Sequence, residues 1–263
     1  MFIEQKHSTR FEPICESPSA DPDVKHAVDF VRVIPTTAEK IRRAEEEMHA
    51  QCALSSVNCA AGIVLQENNL VAAGRLGYKT VRGTKGVMGS GEDVFFEVTC
   101  LRLGNTGAVR IGVQTQWANI QGPVGMDKHG YGICSCNGDG VVDSVRRPLG
   151  VSFSEDDVVG VRVKFAENRP LPRTREAVTW GRRTFWKEEL PPTPTSMAGS
   201  FVEFFVNGVR QGRMSICEGT YHPAISLFSL PSEEEPVLVR ASFNSGRFTY
   251  AHGCKPWIEA TEN

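Results

Sequence analysis

Residues 201–228 read FVEFFVNGVRQGRMSICEGTYHPAISLF. Phe201, Glu203 and Phe205 alternate with Val202, Phe204 and Val206, so one face of an extended segment is wholly apolar and the other nearly so. Aromatic and β-branched residues at this density suit a strand buried on most of its surface. Asn207-Gly208 then supplies the two positive-φ positions of a tight hairpin, and 209–214 forms the returning strand. A further strand begins at 221–227, with Pro223 at its start, because proline is tolerated only near a strand's beginning or edge. This pattern predicts a β-meander.

The same texture runs outward in both directions. Strands are predicted over 61–65, 69–73, 78–81, 93–103, 108–114, 131–136, 158–165, 179–187 and 237–243. Many short strands with turn signals between them, and no alternating helices, predict two antiparallel sheets packed as a sandwich. Only the N-terminal part differs. Thr36 and Glu39 form a capping box, and 38–51 follows as a helix with Ile41, Ala44 and Met48 on a narrow stripe. It reads either as a partner-binding helix or as a solvated lead-in resting on the sandwich. The expected organisation is therefore an extension at 1–53, one domain at 54–250 and a tail at 251–263. The domain carries a Pro/Arg-rich mobile surface insertion near 166–199, ending in the linker-like Pro191-Pro192-Thr193-Pro194-Thr195.

Composition bounds the function. The 263 residues are 40% hydrophobic and 23% charged with a formal charge of −2, an ordinary soluble composition. This near-neutral balance argues against direct nucleic-acid binding, which favours a basic excess. No apolar run approaches a membrane span, and the N-terminus lacks the apolar core of a secretory signal. Eight cysteines at 15, 52, 59, 100, 134, 136, 217 and 254 are therefore expected as reduced thiols. Cys134-Ser135-Cys136 is the one close pair, and its spacing is not that of a zinc site, so neither metal nor cofactor is expected. Gly83-Thr84-Lys85-Gly86 lacks the spacing and following helix of a phosphate loop.

Asn207-Gly208, Gly212, Gly219, Tyr221 and Pro223-Ala224-Ile225-Ser226-Leu227 together resemble the C-terminal half of a SPRY domain. The similarity covers about 60–248 and narrows to one branch, the Ash-two-like (absent, small or homeotic) subunits. Leu70 to Tyr78, with Val81-Arg82 and Gly86-Val87, resembles that branch's opening segment, and Phe95-Phe96-Glu97-Val98 its aromatic strand. Val109 to Val113 is similar to its R-L-G-W strand, Gln121 to Lys128 to its Q-x-P-L-G-Y-D-K, and Gly160 to the glycine of its D-V-L-G. The resemblance implies an all-β, SPRY-type sandwich of two antiparallel sheets with a short N-terminal helical extension.

It also implies a non-catalytic subunit of a nuclear complex that methylates histone lysine. The SPRY domain of such a subunit grips an acidic segment of a WD-repeat partner, and the pair stimulates a SET-domain methyltransferase. By motif position the family's peptide pocket falls on Tyr78, Arg110, Pro123 and Met126, with Lys128 as a nearby cation alongside Lys79. Met126 replaces a tyrosine, and Cys134 and Cys136 replace an arginine and a lysine, so two cations are absent. The family also docks a small dimeric helper through a C-terminal amphipathic helix. Here residues 253–260 are short and interrupted by proline, which counts against that partner.

Two other classes stay open. One is a SPRY adaptor or scaffold in an unrelated ribonucleoprotein or mitochondrial assembly, the cytoplasm or mitochondrion then replacing the nucleus. The other is a thiol hydrolase using Cys134 or Cys136 with His129 or His222 and Asp127. Its weakness is that chance Cys–His pairs are common in a chain with eight cysteines and six histidines.

Overall fold

The computed structural model describes residues 51–88, 91–167, 193–250 and 253–257, and the backbone of two short strands at 177–180 and 183–186. Residues 38–50 of the expected helix and Cys15 lie outside the described residues, and Gln51, the helix's expected last residue, is not helical. The strands in chain order are β1 (Leu54–Cys59), β2 (Ile63–Gln66), β3 (Val71–Gly74), β4 (Lys79–Gly83), β5 (Asp93–Arg102) and β6 (Ala108–Gln114). Next come β7 (Gly130–Cys134), β8 (Asp139–Val142), β9 (Val145–Pro148), β10 (Val158–Lys164), β11 (Ala177–Trp180) and β12 (Arg183–Trp186). The chain continues with β13 (Ser196–Val206), β14 (Val209–Cys217), β15 (His222–Phe228), β16 (Val237–Ser242) and β17 (Lys255–Pro256).

Two large sheets form, in the orders β1-β4-β15-β6-β7-β8-β9 and β14-β13-β10-β5-β16-β3-β2. Alternation along the strands explains why they stack. Val81, Ile225, Ile111 and Ile133 of the first sheet lie in one register row, and Phe96, Val161 and Phe204 occupy a row of the second. All seven are fully buried in one core. Each such side chain contributes roughly 1.5–3 kcal/mol by leaving water.

The opening hairpin forms as the sequence predicts. Asn207 and Gly208 take φ of 51° and 77° between β13 and β14, the mirror-image turn that matches strand twist. Asn207 also ties the hairpin to the domain, its Oδ1 accepting from the Val158 N–H at 2.9 Å.

Three differences have physical causes. The strand expected at 179–187 is instead a two-stranded unit, β11 paired with β12, because the glycine at 181 sits between two four-residue runs. This also places 177–180, expected within a mobile insertion, in a strand. The short strands β8 and β9 escape the pattern because Asp143 and Ser144 make their positive-φ turn, at 50° and 59°, without glycine. Residues 253–257 of the tail are also structured. β16 pairs with β5 only from Glu97 onward, leaving the edge at Val94 and Phe95, and β17 fills it in parallel. On the way the Thr249 and Tyr250 N–H groups donate to the buried Glu97 carboxylate at 2.6 and 3.0 Å. Burial raises the Glu97 pKa, and these amides oppose the rise. Trp257 then enters the core edge-on to Phe96, centroids 5.3 Å apart, its indole N–H donating to the Lys85 carbonyl at 3.1 Å.

Candidate partner-binding face

Thr80, Ser226, Arg110 and Cys134 lie in one register row across β4, β15, β6 and β7. Their neighbours in sequence, Val81, Ile225, Ile111 and Ile133, point into the core, so this row faces outward. It is nevertheless buried, because the connection between β6 and β7, residues 115–129, folds across it.

A polar chain pins that connection. Thr80 Oγ1 donates to the Gly122 carbonyl at 2.6 Å, and the Val124 N–H donates to Ser226 Oγ at 2.6 Å. The two hydroxyls are 2.7 Å apart; with the Thr80 proton engaged, Ser226 is the donor between them. Asp127 holds the far end, its two oxygens accepting from the Asn119 and His129 N–H groups, both at 2.9 Å. The Met126 N–H donates to the Pro123 carbonyl at 3.0 Å, closing a turn around Val124 and Gly125. Gly125 needs its φ of 79°, and a Cβ there would collide with the Val141 carbonyl of β8.

This scaffold sets the side chains singled out from sequence. Arg110 is 7% exposed, and its guanidinium lies 5.1 Å from the centroid of the Tyr78 ring. One guanidinium nitrogen donates to the Val124 carbonyl at 3.3 Å, while Nε is buried and makes no hydrogen bond. No carboxylate pairs with Arg110 among the described residues. Tyr78 is half-buried, its ring 4.8 Å from that of Phe228. Leu76 and Gly77, with φ of 64° and 82°, deliver it there, and the Gly77 N–H donates to the Ser229 carbonyl at 3.0 Å. Burial raises the Tyr78 pKa, the Cys134 thiol adds to the rise and Arg110 opposes it.

Pro123 and Met126 are half-buried on the turn whose Val124 carbonyl meets Arg110, and the Met126 thioether folds back over Gly122. Tyr78, Arg110, Pro123 and Met126 thus share one neighbourhood. Lys128 is exposed on the same connection, beside His129. Lys79 projects to the opposite side of β4, with its ammonium against Gly62. Sequence reasoning missed Val124, whose backbone carbonyl rather than side chain meets the guanidinium, and Phe228, which reads simply as the end of a core strand.

The residues considered for thiol chemistry are dispersed. His222 pairs in register with Gln114, four positions along β6 from Arg110 and its partner Cys134, or roughly 13 Å. Its Nδ1 lies 3.1 Å from the Gly83 carbonyl, and Asp127 is engaged by backbone amides. Burial pushes the His222 pKa down to about 4, with the Arg82 charge acting in the same direction, although the residue keeps partial contact with solvent. No disulfide joins the described cysteines, and no three metal-binding side chains cluster among the described residues.

Over 181 residues the chain is 30% identical to the Set1/Ash2 histone methyltransferase complex subunit ASH2 of Drosophila melanogaster, covering 64% of this chain and 32% of that protein. It is 27% identical over 175 residues to the Set1/Ash2 histone methyltransferase complex subunit ash-2 of Caenorhabditis elegans, covering 58% of this chain and 30% of that protein. The chain therefore spans about a third of the length of these curated relatives. No family model matches it. Among solved structures, the SPRY domain of human HERC1 superposes with a TM-score of 0.50 at 13% identity, covering 72% of this chain and 96% of that one. The fold is an all-β SPRY-type sandwich, and the sequence resembles the Ash2 subunits.

Proposed function

We propose that this chain is a non-catalytic protein-interaction subunit of a histone methyltransferase complex in the nucleus. Its similarity to Ash2 subunits supports the complex, and its SPRY sandwich supports an interaction role. In this reading the face at Tyr78, Arg110, Pro123 and Met126 receives an acidic peptide segment of a partner, with Lys128 at its rim.

One observation carries the site. Among the described residues, Arg110 is a buried cation with no carboxylate beside it and a buried Nε that lacks an acceptor. Burying an unpaired charge costs several kcal/mol, so such a group persists best where a ligand carboxylate completes it. The Tyr78 ring, itself packed on Phe228, covers the guanidinium with apolar surface, the setting in which a charge-assisted hydrogen bond gains most. By the resemblance, the partners are a WD-repeat subunit with an acidic segment and a SET-domain methyltransferase.

Affinity capture of the tagged full chain, followed by mass spectrometry, tests this reading. A SET-domain protein and a WD-repeat protein should accompany the parent and be depleted with Arg110→Met. Recovery of neither, or undiminished recovery with the variant, overturns it.

A further inference from the structure

We infer that Leu76 and Leu230 form an apolar ledge beside the Arg110 face, which seats a bulky aliphatic or aromatic side chain of the partner segment. This rests on the proposed function and adds to the segment's chemistry: a carboxylate for Arg110 and, two residues away, an apolar side chain for the ledge. The pairing of β4 with β15 reaches Lys79 and Leu227 in register. Beyond that pair the Tyr78 ring packs on the Phe228 ring, centroids 4.8 Å apart, and the Gly77 N–H donates to the Ser229 carbonyl at 3.0 Å. The next positions in the same count, 76 and 230, are both leucine. The Leu76 N–H donates to Ser229 Oγ at 3.4 Å, and Ser229 is fully buried, so the residue beside Leu230 anchors Leu76. The two leucines stay 53% and 47% exposed.

The backbone at Leu76 is itself unfavourable. Its φ is 64°, and among the described residues every other non-glycine with positive φ is Asn, Asp, Ser or Glu. Left-handed backbone crowds a leucine, and glycine or asparagine takes it more easily. With more than half of its side chain in water, Leu76 recovers little of that strain from the fold. A ligand side chain laid on the ledge would recover it. Charge decides which ligand. The Arg110 guanidinium lies 5.1 Å from the Tyr78 centroid and meets no carboxylate among the described residues. The acidic groups that follow the ledge are engaged elsewhere: Glu233 accepts from the Thr106 N–H and hydroxyl at 2.9 and 3.0 Å, and Glu235 pairs with Arg102 at 3.0 Å. The Tyr78–Phe228 pair and the leucine pair are two residues apart along their strands, roughly 7 Å, which is also the spacing of alternate side chains on an extended chain. A segment running along β4 therefore offers one side chain to Arg110 and its second neighbour to the leucines.

A peptide array probed with the labelled full chain tests this, using peptides in which one glutamate is flanked by two randomised positions on each side. The parent should prefer Glu over Gln at the fixed position. At the second position on one side it should prefer Leu, Ile, Met or Phe over Ser by about tenfold. Leu76→Gly combined with Leu230→Ser should erase the apolar preference and keep the preference for Glu. Leu76→Gly alone should unfold at the parent's temperature or above, because glycine adopts this backbone freely; a lower temperature would assign Leu76 to the fold and overturn the ledge. Glu selected without the apolar preference, or with one that survives the double variant, sinks the ledge alone. No selection of Glu by the parent sinks the proposed function and the ledge with it. Sedimentation should show a monomer; a dimer that the double variant dissociates would give the ledge to a second copy of the chain and overturn the inference.

Discussion

The guanidinium of Arg110 sits 5.1 Å from the centroid of the Tyr78 ring, and among the described residues the cation is held there by the aromatic face and one carbonyl rather than by a carboxylate. Such contacts contribute about 1–2 kcal/mol when desolvated, less than the cost of burying an unpaired charge. Arg110→Met keeps the stem's bulk and removes the charge. Its midpoint of thermal unfolding should equal the parent's or rise by a few degrees, while partner capture drops by tenfold or more. A variant that loses stability and binding together would mean that Arg110 acts only as a structural residue.

The two cysteine positions are unequal as places to restore a cation. Cys136 is exposed, and Cys136→Lys should tighten binding to acidic peptides and steepen its dependence on salt. Cys134 is buried beside Arg110, so Cys134→Arg should lower the unfolding temperature by several degrees. Fluorescence titration of an acidic peptide at two salt concentrations, alongside thermal melts, distinguishes the two positions.

Acid should weaken the fold through His222. In the folded chain it stays neutral down to about pH 4, whereas its ordinary value is 6.5. Between those values the unfolded chain binds more protons, so this contribution is full above pH 6.5 and is lost as pH falls toward 4. The loss should be on the order of 2 kcal/mol, and His222→Gln should flatten the slope in that window. Urea unfolding at a series of pH values measures it; identical slopes for parent and variant would remove His222 from the account.

Trp257 should matter as much as any strand residue. It is fully buried against Phe96 and hydrogen-bonded to Lys85. Trp257→Ala should cost about 3–5 kcal/mol in urea unfolding. A cost below about 1 kcal/mol would show that the 253–257 segment docks only weakly.

Much of the sandwich was legible because its strongest strands state their period plainly. Phe201 to Val206 is apolar on nearly every residue, 108–114 alternates without interruption, and Asn207-Gly208 announces its turn. The candidate site was legible only through motif resemblance, since nothing local distinguishes Arg110 from any strand arginine. Its burial comes from the 115–129 connection, whose folding depends on Thr80 and Ser226 from remote strands. β17 was hidden for a similar reason. Two residues have no readable period, and they pair because β16 leaves that part of β5 open.

The position of β15 sets a timetable. It lies between β4 and β6, and the Thr80–Ser226 hydrogen bond joins residues 146 positions apart. Until β15 arrives, the strand preceded by Tyr78 and the strand carrying Arg110 have no common neighbour. Contacts so distant in sequence form slowly, since loop closure precedes their reward. A growing chain therefore does not assemble the proposed recognition surface until residue 226 has been made and inserted. Under the proposed function, the surface then serves as a certificate of completed folding, and a partner that reads it ignores unfinished chains.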